Sequence, residues 1–197
     1  DIKPENFVVR FDGKKPICLI DYGVSRLYRN PDGTHLEPRQ RAATPGSQLY
    51  ASINCHSMTE LSRRDDLISL LYTIMVLAGI HLPWSGQNCA KTEVAELKRT
   101  HTATSLIAPL GEPFVGIAQH IEGLEYVDTP NYKGMIQTIE SSYPKTTVPF
   151  QWMNMASSFA PSPAFGAFDP TGFLHQLAPY SMNASSTENK QTGCIVC

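Results

Sequence analysis

Charge of either sign is scarce and unclustered: 16 Lys and Arg stand against 18 Asp and Glu in 197 residues, a net charge of −2. With no long basic or acidic block, nothing marks a footprint for a nucleic-acid backbone, and no nucleic-acid partner is expected. The longest apolar stretch, Leu67 to Ile80, includes Ser69, Thr73 and Gly79. It falls short of the roughly 20 residues a membrane-spanning helix needs. Five cysteines (Cys18, Cys55, Cys89, Cys194 and Cys197) form no disulfide framework and suit free thiols in a reducing compartment. A zinc or redox site on Cys194 and Cys197 would lack a second ligand pair. No signal peptide and no internal repeat is visible. What remains, with 42% hydrophobic residues, is one globular domain with a real core, and cytoplasmic is its default location.

What is present is densest at the start. Asp1-Ile2-Lys3-Pro4-Glu5-Asn6 precedes a short β-rich run, Phe7 to Phe11. Asp12-Gly13 is a hairpin turn, and a second apolar run, Pro16 to Ile20, leads to Asp21-Tyr22-Gly23. An antiparallel hairpin brings the start of its first strand beside the end of its second, so Asn6 and Asp21 converge. Asp1 lies just upstream on the same side. Two carboxylates, an amide oxygen and Lys3 suit magnesium held against phosphate, because that metal takes few protein oxygens. A surface hairpin with ordinary Asp and Asn turn residues could carry any one of them; it does not account for all four together.

From Gly23 to Asn54 the chain is irregular, with Pro31, Pro38, Pro45-Gly46 and four arginines (Arg26, Arg29, Arg39, Arg41). A loop of this length is usually functional or disordered. Asp65 to Ala78 is apolar on nearly all sides and predicts a central buried helix, its acidic start complementing the helix dipole and Gly79 closing it. Leu82-Pro83-Trp84 follows as a rigid turn. Thr92 to Arg99 predicts a short polar helix. Pro113 opens another, striped by Phe114, Ile117, Ala118, Ile121 and Leu124. Tyr132, Met135, Ile136 and Ile139 define a last one ending at Pro144, and core packing is expected for both stripes. From about Ser157 composition turns to Ser, Pro, Ala, Gly and Asn, which predicts a disordered tail.

The two opening motifs together resemble the catalytic loop and magnesium turn of a protein kinase. Residues 1–155 resemble the casein kinase I superfamily more specifically, through Asp1 to Phe7, Tyr50-Ala51-Ser52-Ile53-Asn54, Arg63 to Leu70 and Leu82-Pro83-Trp84. Within it the chain is most similar to the tau-tubulin kinase branch, by Leu124-Glu125-Tyr126, Pro130-Asn131-Tyr132 and Phe150-Gln151-Trp152. The resemblance implies a protein-kinase-like α+β fold, here a mainly α-helical C-terminal lobe with a small β-hairpin over 1–155. Residues 156–197 would be the tail. Nothing resembles a Gly-rich phosphate loop, a strand lysine or its partner glutamate. Residue 1 is already the expected catalytic base. The N-terminal lobe is thus absent from this sequence and expected upstream in a parent protein.

Protein serine/threonine phosphorylation from ATP with Mg²⁺ is the implied activity, acting on a protein substrate. Asp1 would orient the hydroxyl and accept its proton, Lys3 would neutralise the transferred phosphoryl group, and Asn6 and Asp21 would hold magnesium. Asp66 would be the buried helix-start carboxylate that fixes the catalytic loop. The stretch after Asp21 would be the activation segment, with Ser47 and Tyr50 facing the substrate. Three positions depart from the pattern. Tyr22 replaces Phe, Ser47 replaces Thr, and Leu49 replaces an Arg that binds phosphate or acidic groups on substrates. A truncated or degenerate relative acting as a non-catalytic binding module is the alternative. Finally, Cys194-Ile195-Val196-Cys197 has the form of a prenylation signal on Cys194, which would give peripheral membrane attachment.

Overall fold

The computed structural model describes residues 1–10, 17–40, 46–86, 89–143 and the strand at 195–196. Pro4, whose fixed φ suits the first position of a helical turn, opens a single 3₁₀ turn, Pro4–Asn6. Two three-residue strands follow, β1 (Phe7–Val9) and β2 (Ile17–Leu19). They pair antiparallel with Phe7 opposite Leu19 and Val9 opposite Ile17. The hairpin expected from the β-rich run and the apolar run after it is therefore present, while its Asp12-Gly13 turn lies outside the described residues. The segment after it is not wholly irregular. It contains β3 (Arg26–Leu27) and a bridge between Arg29 and His35.

Helices make up the rest: α1 (Ile53–His56), α2 (Arg63–Leu77), α3 (Lys91–Thr100), α4 (Ala103–Ile107), α5 (Glu112–Glu122) and α6 (Tyr132–Ser142). Three of these starts, those of α1, α4 and α6, carry a side-chain cap. Ser52 accepts from the Cys55 N–H, Thr102 from the Ser105 N–H and Asn131 from the Gly134 N–H, the side-chain caps that satisfy orphan amides. Helix α4 had no apolar repeat long enough to announce it. It is held by Glu122, which accepts from the Ala103 N–H at 2.6 Å. A last strand, β4 (Ile195–Val196), pairs antiparallel with β3. The remainder of the predicted tail, with Cys194 and Cys197, lies outside the described residues, as do Phe150, Gln151 and Trp152.

The core forms around α2. Met75 is fully buried, and Leu71 and Tyr72 nearly so, against Trp84, Ile107, Ala118 and Ile121. Tyr72 meets the edge of Trp84 at 5.0 Å and 74°, a favoured aromatic geometry. Burying each of these large side chains contributes about 2–3 kcal/mol. Helix α2 is central but not buried all round. Leu77 is 67% exposed, and Leu67, Leu70 and Ile74 line an open apolar groove of about 310 Å³ with residues of α5 and α6. The α5 stripe packs inward as its period requires. The α6 stripe does so only at Met135 and Ile139, leaving Tyr132 and Ile136 exposed on the groove. Among the described residues no helix is long and apolar enough to cross a membrane.

Candidate active site

The 3₁₀ turn closes on the residues before it. Asn6 is 6% exposed, its backbone N–H donates to Lys3 O at 3.0 Å, and its side-chain Nδ2 donates to Asp1 O at 2.7 Å. Lys3 Nζ donates to Asp1 Oδ2 at 2.5 Å, and the backbone N–H of Ser47 donates to Asp1 Oδ1 at 2.8 Å. Asp1 is thereby gripped at both carboxylate oxygens and at its carbonyl. Gly46 permits the approach of the later segment. It has φ of +75°, and a Cβ there would stand 2.6 Å from Asp1 Oδ1. Read in sequence, Pro45-Gly46 was only a turn signal, and the close approach to Asp1 was not legible.

The hairpin delivers the other pair. Ile20 N–H donates to Asn6 O at 2.8 Å, continuing the ladder one step beyond Phe7–Leu19, so Asp21 follows directly after the residue opposite Asn6. Asp21 adopts φ of +62°, unusual for a residue with a Cβ, and its Oδ1 accepts from the Gly23 N–H at 3.1 Å. Backbone strain of this kind persists only where surroundings impose it. Tyr22 finds a hydroxyl partner, Leu19 O at 3.2 Å, but its ring is 55% exposed rather than packed. With the Asn6 nitrogen committed to Asp1, its amide oxygen is the end a cation would meet. One such oxygen and the Asp21 carboxylate form a sparse, hard donor set of the kind magnesium accepts when phosphate and water complete its shell. Among the described residues no cluster of three or more His, Cys, Asp or Glu could hold a metal by protein ligands alone.

A cleft of about 60 Å³ lies beside Asp1 and Ile2, walled by Ser47, Tyr50, Asp66 and Ser69. The buried helix-start carboxylate expected at Asp66 is instead Asp65, 3% exposed, because the capping position of α2 falls one residue earlier. Asp65 accepts from Ser52 Oγ at 2.6 Å, Asn54 Nδ2 at 2.9 Å and Ser62 N–H at 2.8 Å, which ties the α1 region to α2. Asp66 itself is half-buried on the cleft wall.

The segment from Ser47 to Ala51 is a tight turn, with Ser47 O accepting from Tyr50 N–H at 3.3 Å and Ala51 N–H at 3.1 Å. Leu49 packs against the core, and Tyr50, 5% exposed, packs there too while lining the cleft beside Asp1. Burial, with Glu5 adding to it, raises the Tyr50 phenol above its ordinary range. The carbonyls of the turn meet Lys98 of α3. Its Nζ donates to Gln48 O at 2.6 Å, Leu49 O at 3.2 Å and Ala51 O at 2.6 Å, and Trp84 Nε1 donates to Leu49 O at 2.8 Å. Burial pushes the Lys98 ammonium down to about 7. The carbonyls, and the faces of Trp84 and Tyr72 at 5.0 and 5.4 Å, favour its charged form. Beside it, His56 is lowered to about 4 by burial and then by the Lys98 charge, and it stays neutral at physiological pH. Sequence reading missed Lys98, although its i+4 spacing from Val94 put it on the buried face. It also missed Glu60, 6% exposed, which accepts from Arg26 at 3.1 Å and Arg39 Nε at 2.7 Å.

No protein-family model matches the chain. Curated relatives do. A probable serine/threonine-protein kinase of Dictyostelium discoideum is 31% identical over 166 residues, 81% of this chain and 33% of that protein. A probable casein kinase I homolog of Encephalitozoon cuniculi is 37% identical over 140 residues, 68% of this chain and 43% of its own length. Casein kinase I homolog 1 of Saccharomyces cerevisiae is 34% identical over 143 residues, 68% of this chain and 27% of the yeast protein. The chain thus spans between about a quarter and under a half of the relatives it matches. The grip on Asp1, the strained Asp21 turn and these kindred sequences point one way: over the matched residues, the chain belongs to the casein kinase I family of serine/threonine kinases.

Proposed function

We propose that this chain is the catalytic and substrate-facing lobe of a protein serine/threonine kinase of the tau-tubulin branch, moving the ATP γ-phosphoryl group onto protein hydroxyls. The observation that carries the reading is the Asp1 carboxylate, held by Lys3, Ser47 and Asn6 at the end of a hairpin that presents Asp21. Each carboxylate oxygen retains a lone pair beyond its present donor, so a substrate hydroxyl can bond to Asp1 and lose its proton to it. As the hydroxyl oxygen bonds to the γ-phosphorus, the bond from that phosphorus to the β,γ-bridging oxygen breaks. Lys3, already beside Asp1, supplies positive charge at the moving group. Asn6 and Asp21 would hold magnesium, which when bound neutralises phosphate charge. Asp66, on the wall beside Asp1 and Ile2, is assigned to fixing the loop's backbone.

A non-catalytic binding module is the second reading, favoured by the cleft beside Asp1 being lined by Ser47, Tyr50 and Ser52 but by neither Asn6 nor Asp21. The 197-residue chain alone is predicted to show little phosphotransfer. Placed behind a lobe with a Gly-rich loop and a strand lysine, it should phosphorylate Ser/Thr peptides only when magnesium is present. A lobe-bearing protein that binds peptide but transfers no phosphate from ATP would leave the binding module standing.

Leu49 packs against the core and offers no cation, and Arg39, though 65% exposed, already pairs with Glu60 through its Nε. Primed and unprimed peptides should therefore be phosphorylated at similar rates. A preference above roughly tenfold, about one charge-assisted hydrogen bond, that survives neutralising Arg39 and Arg41 counts against this. The protein is further proposed to be cytoplasmic, with a prenyl group on Cys194 as its route to a membrane surface. Intact mass after expression in eukaryotic cells should show an adduct lost in Cys194→Ser, and an unmodified terminus refutes it.

A further inference from the structure

Lys98 is unused by the proposed chemistry, yet it is 5% exposed and sits where an apolar side chain would cost less desolvation. Its placement answers this. The Ser47–Ala51 turn is a small dipolar unit whose two ends meet opposite charges. Its opening amide, Ser47 N–H, points at the Asp1 carboxylate, and the carbonyls of Gln48, Leu49 and Ala51 converge on the Lys98 ammonium. A carboxylate at the amide end and an ammonium at the carbonyl end both favour the same orientation of the turn. Gly46, just before the turn, leaves no room for a side chain beside Asp1, since a Cβ there would stand 2.6 Å from Asp1 Oδ1. Three further groups close the cage around the ammonium: His56 Nε2 at 3.3 Å and the rings of Trp84 and Tyr72. Any shift of the turn at its Lys98 end moves the donor that fixes Asp1.

We propose that Lys98 is a positioning residue for the Asp1 carboxylate, acting through the Ser47–Ala51 turn; its importance to catalysis rests on the kinase reading of Asp1. The lysine touches neither substrate nor cofactor. What it sets is where the Ser47 amide stands, and hence where the proton acceptor stands.

Backbone hydrogen exchange on the 197-residue chain tests this without any need for phosphotransfer. Lys98→Met keeps the stem and removes the charge and its donors. Exchange at the Ser47 amide should quicken roughly tenfold or more, the loss of about one charge-assisted hydrogen bond, while the Met75 amide in the middle of α2 keeps its rate. Equal quickening at Ser47 and Met75, or none at Ser47, overturns the positioning role. If Lys98→Met does not fold, the same ratio in Lys98→Gln, which retains amide donors without charge, decides. Failure of both to fold would make Lys98 a requirement of the core rather than of the turn, and overturns the assignment as well. In the lobe-bearing protein, Lys98→Met should lower kcat with little change in KM for ATP. A wild-type protein without kinase activity would instead remove the reading of Asp1 while the coupling of Lys98 to Ser47 could still be measured.

Discussion

Asp1→Asn, assayed with a nucleotide-binding lobe present, should turn over roughly 10²–10⁴-fold more slowly, the range general acid–base catalysis spans. Asn is nearly isosteric and can still accept from the Ser47 N–H, now 2.8 Å from Asp1 Oδ1, so the turn keeps its anchor. What disappears is the charge that pairs with Lys3 and the oxygen that can take a proton. The loss should therefore fall on kcat, with KM for peptide nearly unchanged and the thermal melt close to that of the parent. Single-turnover measurement separates the chemical step from product release. A decrease below about tenfold would show that Asp1 is not the base.

The largest effect on stability is expected at Asp65. Its carboxylate is 3% exposed and takes hydrogen bonds from Ser52 Oγ, Asn54 Nδ2 and the Ser62 N–H. Asp65→Ala would leave these donors without their acceptor in a dry site and remove the cap of α2. Each buried donor so orphaned costs about 1–3 kcal/mol, and together about 3–5 kcal/mol is expected. Against a total stability of about 5–15 kcal/mol for a domain, that approaches unfolding. Asp65→Asn, which can still accept but brings extra hydrogens into the same space, should cost less. Urea titration followed by far-ultraviolet circular dichroism measures both, and a change under about 1 kcal/mol for Asp65→Ala, the typical effect of an arbitrary substitution, would show the carboxylate to be incidental.

The difference between Asp65 and Asp66 shows how far the sequence could be read. Period, composition and turn residues placed α2, α3, α5, α6 and the hairpin, because each rests on patterns local to about a dozen residues. Adjacent aspartates at a helix start look alike in one dimension. Which one is buried depends on Ser52 and Asn54, more than ten residues away, whose arrival only the tertiary fold decides. Asp1, Lys3, Asn6 and Asp21 could be singled out as candidates since their spacing is itself the signal. Gly46 could not be, because its importance lies in the side chain it lacks: a Cβ there would stand 2.6 Å from Asp1 Oδ1, 45 positions earlier. Lys98 was passed over for a related reason: a lysine in a polar helix is ordinarily solvated, and nothing local shows the three carbonyls that surround it. The stripe on α6 failed in the opposite direction. Its period was correct, but a stripe says which face is apolar, not whether anything covers it.

Glu60 has one more consequence. In proteins whose regulatory segments wait for a phosphate, the waiting group is a set of uncompensated arginines, and the arriving charge brings order. Here Arg26 and Arg39 are already met by a carboxylate that the chain carries within itself, 6% exposed and at 2.7 Å from Arg39 Nε. A phosphate entering this stretch would meet arginines already shared with a resident anion, and would compete with Glu60 for their charge. The charge that elsewhere must arrive from outside is, at this corner of the molecule, already supplied from within.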